Sequence, residues 1–178
     1  RRRRSIRSFR DQQISEEELQ AVVEAGLYAP NAGDQAWHFT AIQNRELLVR
    51  MNAAAKAAAT EMGIPHLREL GSDARFDCLY GAPTLIIVSA DERSPIPLDI
   101  DCAAATENML LAAESLGLGS CWIFFVLLAF DSADGPELRR ALSLPEHYRP
   151  RCAAVFGYKQ GPDPVAPARR SNLVTHVR

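Results

Sequence analysis

Gly81-Ala82-Pro83-Thr84-Leu85-Ile86-Ile87-Val88 sets the architecture of the chain. Five β-compatible residues follow a turn former and a proline, and Asp91 ends the run. The run does not alternate apolar with polar, as a half-solvated strand would. It reads as a strand buried on both faces. Such a strand needs a layer above and a layer below it. The rest of the chain must supply helices for both.

The flanking sequence does so. Before the strand, Ser15 and Glu18 form a capping-box pattern, and Leu19, Val22, Val23, Gly26 and Leu27 recur at helical spacing, predicting a helix over 15–27. Pro30 stops it, and the turn formers of 31–35 form a loop. Residues 37–42 have strand composition, and Asn44 caps an alanine-rich helix to about residue 62, ended by Gly63 and Pro65. After the strand, the apolar residues of 99–116 are dense all round, predicting a helix covered on most sides and central to a dimer. Gly117 and Gly119 end it. A strand is then expected over 121–125, a short helix over 136–142 and a last core strand over 153–158. The order mixes helices and strands without strict βαβ alternation. The 178 residues, 47% hydrophobic and 24% charged, fit one domain. The proline-rich stretch from 161 and the β-compatible ending 173–177 are too short to fold alone, so this arm is expected to lie on the core or on a partner subunit.

The composition also limits function. A net charge of −2 recruits neither nucleic acid nor an anionic membrane by itself. The arginines at the start are not followed by the apolar stretch of a secretory signal, and no run reaches the roughly 20 apolar residues that span a bilayer. A cytoplasmic location is expected. Cys78, Cys102, Cys121 and Cys152 show neither metal-ligand nor Cys-x-x-Cys spacing and read as reduced, mostly buried thiols. No metal site and no Ser-His-Asp arrangement stands out. No Gly-x-Gly-x-x-Gly follows a strand, so a Rossmann site is absent. Glu107 reads as a paired structural acid at a helix interface.

The densest chemistry lies in residues 1–10, Arg1-Arg2-Arg3-Arg4-Ser5-Ile6-Arg7-Ser8-Phe9-Arg10. Guanidinium forks and hydroxyls suit a phosphate, and Ile6 and Phe9 would anchor the segment. Taken alone, the same residues also fit a solvated basic arm or a phosphate- or nucleic-acid-binding module.

The wider pattern resembles the nitroreductase family. Arg3 to Phe9, a capped helix, and Ala29-Pro30-Asn31-Ala32-Gly33-Asp34-Gln35-Ala36-Trp37 occur in the family's order. So do Gly81-Ala82-Pro83-Thr84, Glu107 to Glu114 leading into Gly117-Leu118-Gly119-Ser120-Cys121-Trp122, and Gly157-Tyr158. The resemblance covers nearly the whole chain. It implies an α+β fold with a mixed central sheet flanked by helices, in an intertwined homodimer with flavin mononucleotide (FMN) at the interface. It implies that Arg3, Ser5 and Arg7, with Arg4 nearby, bind the flavin's phosphate and ribityl or pyrimidine edge. Pro30, Asn31, Ala32, Gly33 and Asp34 would reach the same flavin from the other subunit. Cys121, Trp122, Ile123, Phe124 and Phe125 would lie along its reactive face, with Trp122 and the phenylalanines as core or pocket wall. Arg169 or Arg170 matches a C-terminal arginine that reaches the phosphate. The implied activity passes hydride from NAD(P)H through the flavin to a nitroaromatic or quinone-type acceptor and requires no catalytic side chain. Dehalogenation and flavin fragmentation occur on the same fold. The chain departs from the family pattern in a loop shortened around 33–37, in Asp34 for asparagine, in Phe124-Phe125 where small residues are common, and in Lys159 for proline.

Overall fold

The computed structural model describes residues 1–96 and 98–178. Four strands pair in the order β1-β2-β4-β3, where β1 is Trp37–Ile42, β2 Thr84–Asp91, β3 Gly119–Ile123 and β4 Tyr148–Gly157. All three pairings are antiparallel. The parallel component expected of a mixed sheet is confined, among the described residues, to an isolated bridge between Ser5 and Ser120.

β2 is central, and its first seven residues are buried. Its side chains alternate between two cores, as a pleated strand requires. Leu85 and Ile87, with Ala153 and Val155 of β4, face the side covered by helix α2 (Arg45–Glu61) and a 3-10 helix over Phe125–Asp131. Ile86 and Val88, with Ala154 and Phe156, face α1 (Glu16–Leu27) and α4 (Leu98–Ser115). Burial on both faces removes the polar alternation, which is why the sequence reads as a continuous apolar run.

α1 starts on the expected capping box. Ser15 Oγ accepts from Glu18 N–H at 3.2 Å, and Glu18 Oε2 accepts from Ser15 N–H at 2.8 Å. The same carboxylate accepts from the Tyr158 hydroxyl at 2.7 Å, which ties the start of α1 to the end of β4. Asn44 caps α2 as expected.

Three features depart from the sequence reading. Pro65 opens a further helix, α3 (Pro65–Ser72), because a proline's missing N–H costs nothing in a first turn. The strand expected over 121–125 ends at Ile123. Phe124 takes helical dihedrals (φ −112°, ψ −36°), and the apolar run behind it forms the 3-10 helix that buries Val126, Leu127, Leu128 and Ala129. A short wholly apolar run carries no period that separates strand from buried helix. Residues 161–178 are exposed and form neither helix nor strand, and the β-compatible ending has no pairing partner among the described residues. The short helix expected over 136–142 is α5 (Gly135–Ala141).

Ile87 is fully buried at the middle of the sheet. Ile87→Ala should lower stability by about 2–5 kcal/mol. Val49→Ala, on the exposed side of α2, should stay within about 0.5 kcal/mol of the parent. Chemical denaturation monitored by circular dichroism measures both.

Candidate active site

The basic segment is not a free arm. Ile6 N–H donates to the Ser120 carbonyl at 2.9 Å, which docks the segment on β3 at the edge of the sheet. Further along, Phe9 bridges Lys159, Arg10 N–H donates to the Tyr158 carbonyl at 2.9 Å, and Gln160 N–H donates to the Ser8 carbonyl at 3.0 Å. Ile6 and Phe9 are buried, as their anchoring role requires. Gly119 permits this approach, because a Cβ there would stand 3.0 Å from Ile6 Cγ2 and 3.1 Å from Phe9 Cε1.

An extended backbone sends residues 3, 5 and 7 to one side. Those three converge on Cys121 of β3. The charges of Arg7 and Arg3 and the polar Ser5 favour its thiolate. Burial is nonetheless the largest influence and holds the thiol above its ordinary value. Arg3 is partly buried, with Glu107 of α4 3.6 Å away. Arg7 is exposed, stacks 5.8 Å over the Tyr80 ring, and has no carboxylate within ion-pair distance among the described residues. Arg4 turns away from this group and donates to the carbonyls of Arg1, Arg3 and Pro164 at 2.7, 2.8 and 3.2 Å. It fixes backbone, joining the segment to the start of the C-terminal arm.

The expected loop lies elsewhere on the same chain. Asn31 Oδ1 accepts from Gly33 N–H at 2.7 Å, Asp34 Oδ2 accepts from the Ser94 hydroxyl at 2.5 Å, and Ala32 N–H donates to Asp101 of α4 at 3.4 Å. Pro30 is exposed beside them. Asp101 precedes Glu107 and Glu114, the α4 acids nearest Arg3 and Arg2, by about 9 and 20 Å along the helix axis, and it lies some 120–140° away around the helix. Arm and loop therefore flank opposite ends of α4. Arg169 and Arg170 are exposed in the C-terminal arm, and Arg169 donates to its own Pro167 carbonyl. Within one chain, neither loop nor tail joins the Arg3, Ser5 and Arg7 group.

Beyond Cys121, Ile123 is buried, Trp122 is 39% exposed and Phe124 is 69% exposed. Phe125 packs edge-on against Phe76 at 5.0 Å and so belongs to the core. Glu107, expected as a paired structural acid at a helix interface, is exposed on α4, and its partner is Arg3 of the N-terminal segment and not a residue of another helix.

Two participants were not expected from sequence. Lys159 holds Glu114 at 3.0 Å and Asp163 at 3.1 Å, so the departure from proline clamps the arm's far end to α4. Tyr80 has a left-handed φ of 57° and lies under Arg7. Asp77 maintains that turn by accepting from Leu79 and Gly81 N–H at 2.9 and 2.7 Å. The Tyr80-Gly81 pair ahead of Pro83 was the available signal, as a turn whose second residue favours positive φ.

The model of the nitroreductase family matches residues 1–158. The chain belongs to the nitroreductase family. An Archaeoglobus fulgidus protein carrying the name NADH dehydrogenase/NAD(P)H nitroreductase is 39% identical over 126 residues, 68% of this chain and 62% of that protein. A crystal structure of a Bacteroides fragilis nitroreductase with bound FMN superposes with a TM-score of 0.92 at 36% identity, covering 99% of this chain and 95% of that one. A Desulfitobacterium hafniense nitroreductase with bound FMN gives 0.88 at 30% identity, with the same coverage of both chains. No helix among the described residues is long and apolar enough to cross a membrane.

All four cysteines are buried and unpaired, and burial pushes the Cys78 and Cys102 thiols up to about 12. The reactive thiolate is then scarce at pH 8. Ellman's reagent should find almost no reactive thiol in the native protein and four after denaturation. Rapid native modification of Cys121 would contradict its burial beneath Ser5.

Proposed function

We propose that the chain is an FMN-dependent oxidoreductase, acting as a homodimer, that takes hydride from NAD(P)H and passes electrons to a flat, electron-poor acceptor. The observation that carries this reading is the convergence of Arg3, Ser5 and Arg7 beside the β3 backbone. A hydroxyl and two guanidinium groups suit a phosphate's oxygens, and among the described residues no carboxylate forms an ion pair with Arg7, which lies over the Tyr80 ring. The donor chemistry fits FMN, which both crystallised relatives hold.

The flavin, when bound, supplies the redox chemistry. The protein's part is positioning and electrostatics. Arg3, Ser5 and Arg7 hold the anionic end, with Arg4 keeping their backbone in place. A fixed guanidinium near the pyrimidine edge offsets negative charge that arrives with the electrons. The backbone of Cys121, Trp122 and Ile123 lines the ring system, and Trp122 and Phe124 offer apolar wall to a stacked acceptor.

The exposed face of α4 supports a second subunit. Ile100, Ala104, Glu107 and Leu111 lie on one face of this helix, at i, i+4, i+7 and i+11. Ile100 is 66% and Leu111 52% exposed, and Tyr28 at the end of α1 is 80% exposed. Two such faces packed antiparallel about a twofold axis near Glu107–Asn108 bring Asp101 of one copy level with Glu114 of the other. The 30–34 loop of one subunit then meets the arm of its partner, and both subunits build each site. The C-terminal arm, with Arg169 or Arg170 toward the phosphate, crosses to the partner in the same arrangement.

Arg7→Ala should weaken FMN binding by about 1.5–3 kcal/mol, since a charged hydrogen-bond donor is lost. That is about ten- to hundredfold in Kd. Titration of flavin-free protein followed by flavin fluorescence measures it, and unchanged affinity with an intact circular dichroism spectrum would refute the role. Stopped-flow mixing with NADH and with NADPH should bleach the bound flavin with at least one of them. Failure of both would sink the nicotinamide half of the proposal.

A further inference from the structure

A second cluster of arginines stands at the other end of β3. A cavity of about 530 Å³ opens next to Phe124, and Arg139 of α5, Arg149 and Arg151 of β4 line it, together with Asp99 and Asp131. The three guanidinium groups differ in how they are occupied. Glu92, outside the cavity lining, pairs with Arg149 at 3.2 Å and with Arg151 at 3.3 Å. Asp99 lies 3.5 Å from Arg151 Nε, yet that nitrogen is buried and makes no hydrogen bond. Arg139 has no carboxylate within ion-pair distance among the described residues, and one of its nitrogens donates to the Tyr148 carbonyl at 2.5 Å. Burial, and then the neighbouring Arg149 charge, lower the pKa of Arg139. Glu92 offsets this only in part, and at a distance beyond ion pairing. The cavity offers the Arg139 guanidinium, one nitrogen of which is held by the Tyr148 carbonyl, the Arg151 guanidinium shared between Glu92 and Asp99, and the apolar surfaces of Phe124, Leu127 and Phe130.

This cluster is separate from the arm. Phe124 lies three residues beyond Cys121, about 10 Å along an extended backbone. It is the residue shared by the cavity and by the segment assigned to the flavin's reactive face. We infer that the Arg139–Arg151 cavity is a subsite for an oxyanion carried by one of the enzyme's redox partners, whose flat ring stacks at Phe124 while its carboxylate or phosphate reaches Arg139. This inference rests on the flavin reading of β3 and narrows it to anionic partners. The oxyanion could be the carboxylate of an aromatic acceptor or the 2′-phosphate of NADPH, and the same guanidinium geometry recognises both.

Steady-state rates of the FMN-loaded protein separate the two sources. One arm compares para-nitrobenzoate with its methyl ester, and the other compares NADPH with NADH. The charged member of at least one pair should be favoured by about tenfold in kcat/KM, the scale of one charged hydrogen bond. Arg139→Gln should abolish that preference at unchanged FMN content, and Arg139→Lys should retain part of it. Because Arg139 also holds the Tyr148 carbonyl, Arg149→Gln is read beside it and should reduce the preference as well. Calorimetry adds a readout independent of turnover, in which benzoate or adenosine 2′,5′-bisphosphate binds the parent protein and binds Arg139→Gln about tenfold more weakly. Equal kcat/KM within both pairs, or a preference that survives Arg139→Gln, would overturn the subsite. A protein that takes up no FMN but binds either anion through Arg139 would sink the flavin reading and leave the subsite standing.

Discussion

The hydrogen bond from Ile6 N–H to the Ser120 carbonyl, 2.9 Å long, determines what the basic segment can be. An unpaired edge strand offers a row of backbone donors and acceptors. Here the segment takes one of them, and from that register Arg3, Ser5 and Arg7 share the side on which they influence Cys121. Buried Ile6 and Phe9 hold the other side, and Lys159 locks the far end through Glu114 and Asp163. A solvated tail would spread its charges over many conformations and recognise an anion only by average charge. A docked one presents two guanidinium groups and a hydroxyl at fixed spacing, which is what distinguishes a binding site from a basic patch.

α4 carries the second constraint. Its acids fix the arm at one end and the 30–34 loop at the other, on different sides of the helix. The face of Ile100, Ala104, Glu107 and Leu111 between them offers a second copy a surface to cover, and in the proposed dimer subunit association and cofactor binding are parts of one event. The exposure of the C-terminal arm fits the same view. A β-compatible segment with nothing to pair with in its own chain is what an exchanged arm looks like in isolation.

Much of this was legible from local chemistry. The buried strand at 84–88, the Ser15 and Glu18 capping box, the Asn44 cap and the Trp37–Ile42 strand rest on short-range rules, and all four occur as read. The readings that failed concern segments whose neighbours decide their form. Phe124 and Phe125 look like strand until the 3-10 helix has α2 to pack against, and Pro65 looks like a stop until it is seen to open α3. The arm's residues were picked out by the family pattern as candidates for a phosphate, while their register on Ser120 was not legible. Sequence likewise gave no hint of the arginine cavity, because Arg139, Arg149 and Arg151 come from α5 and β4 and meet only through the antiparallel fold.

The most direct measurement combines light scattering with the visible flavin absorption of the purified protein after addition of FMN and removal of the excess. The account predicts a particle of two chains carrying two flavins, with both the association and the flavin weakened together when Leu111 on the α4 stripe is replaced by Glu. A single chain that retains FMN, or a dimer that takes up none, would contradict it.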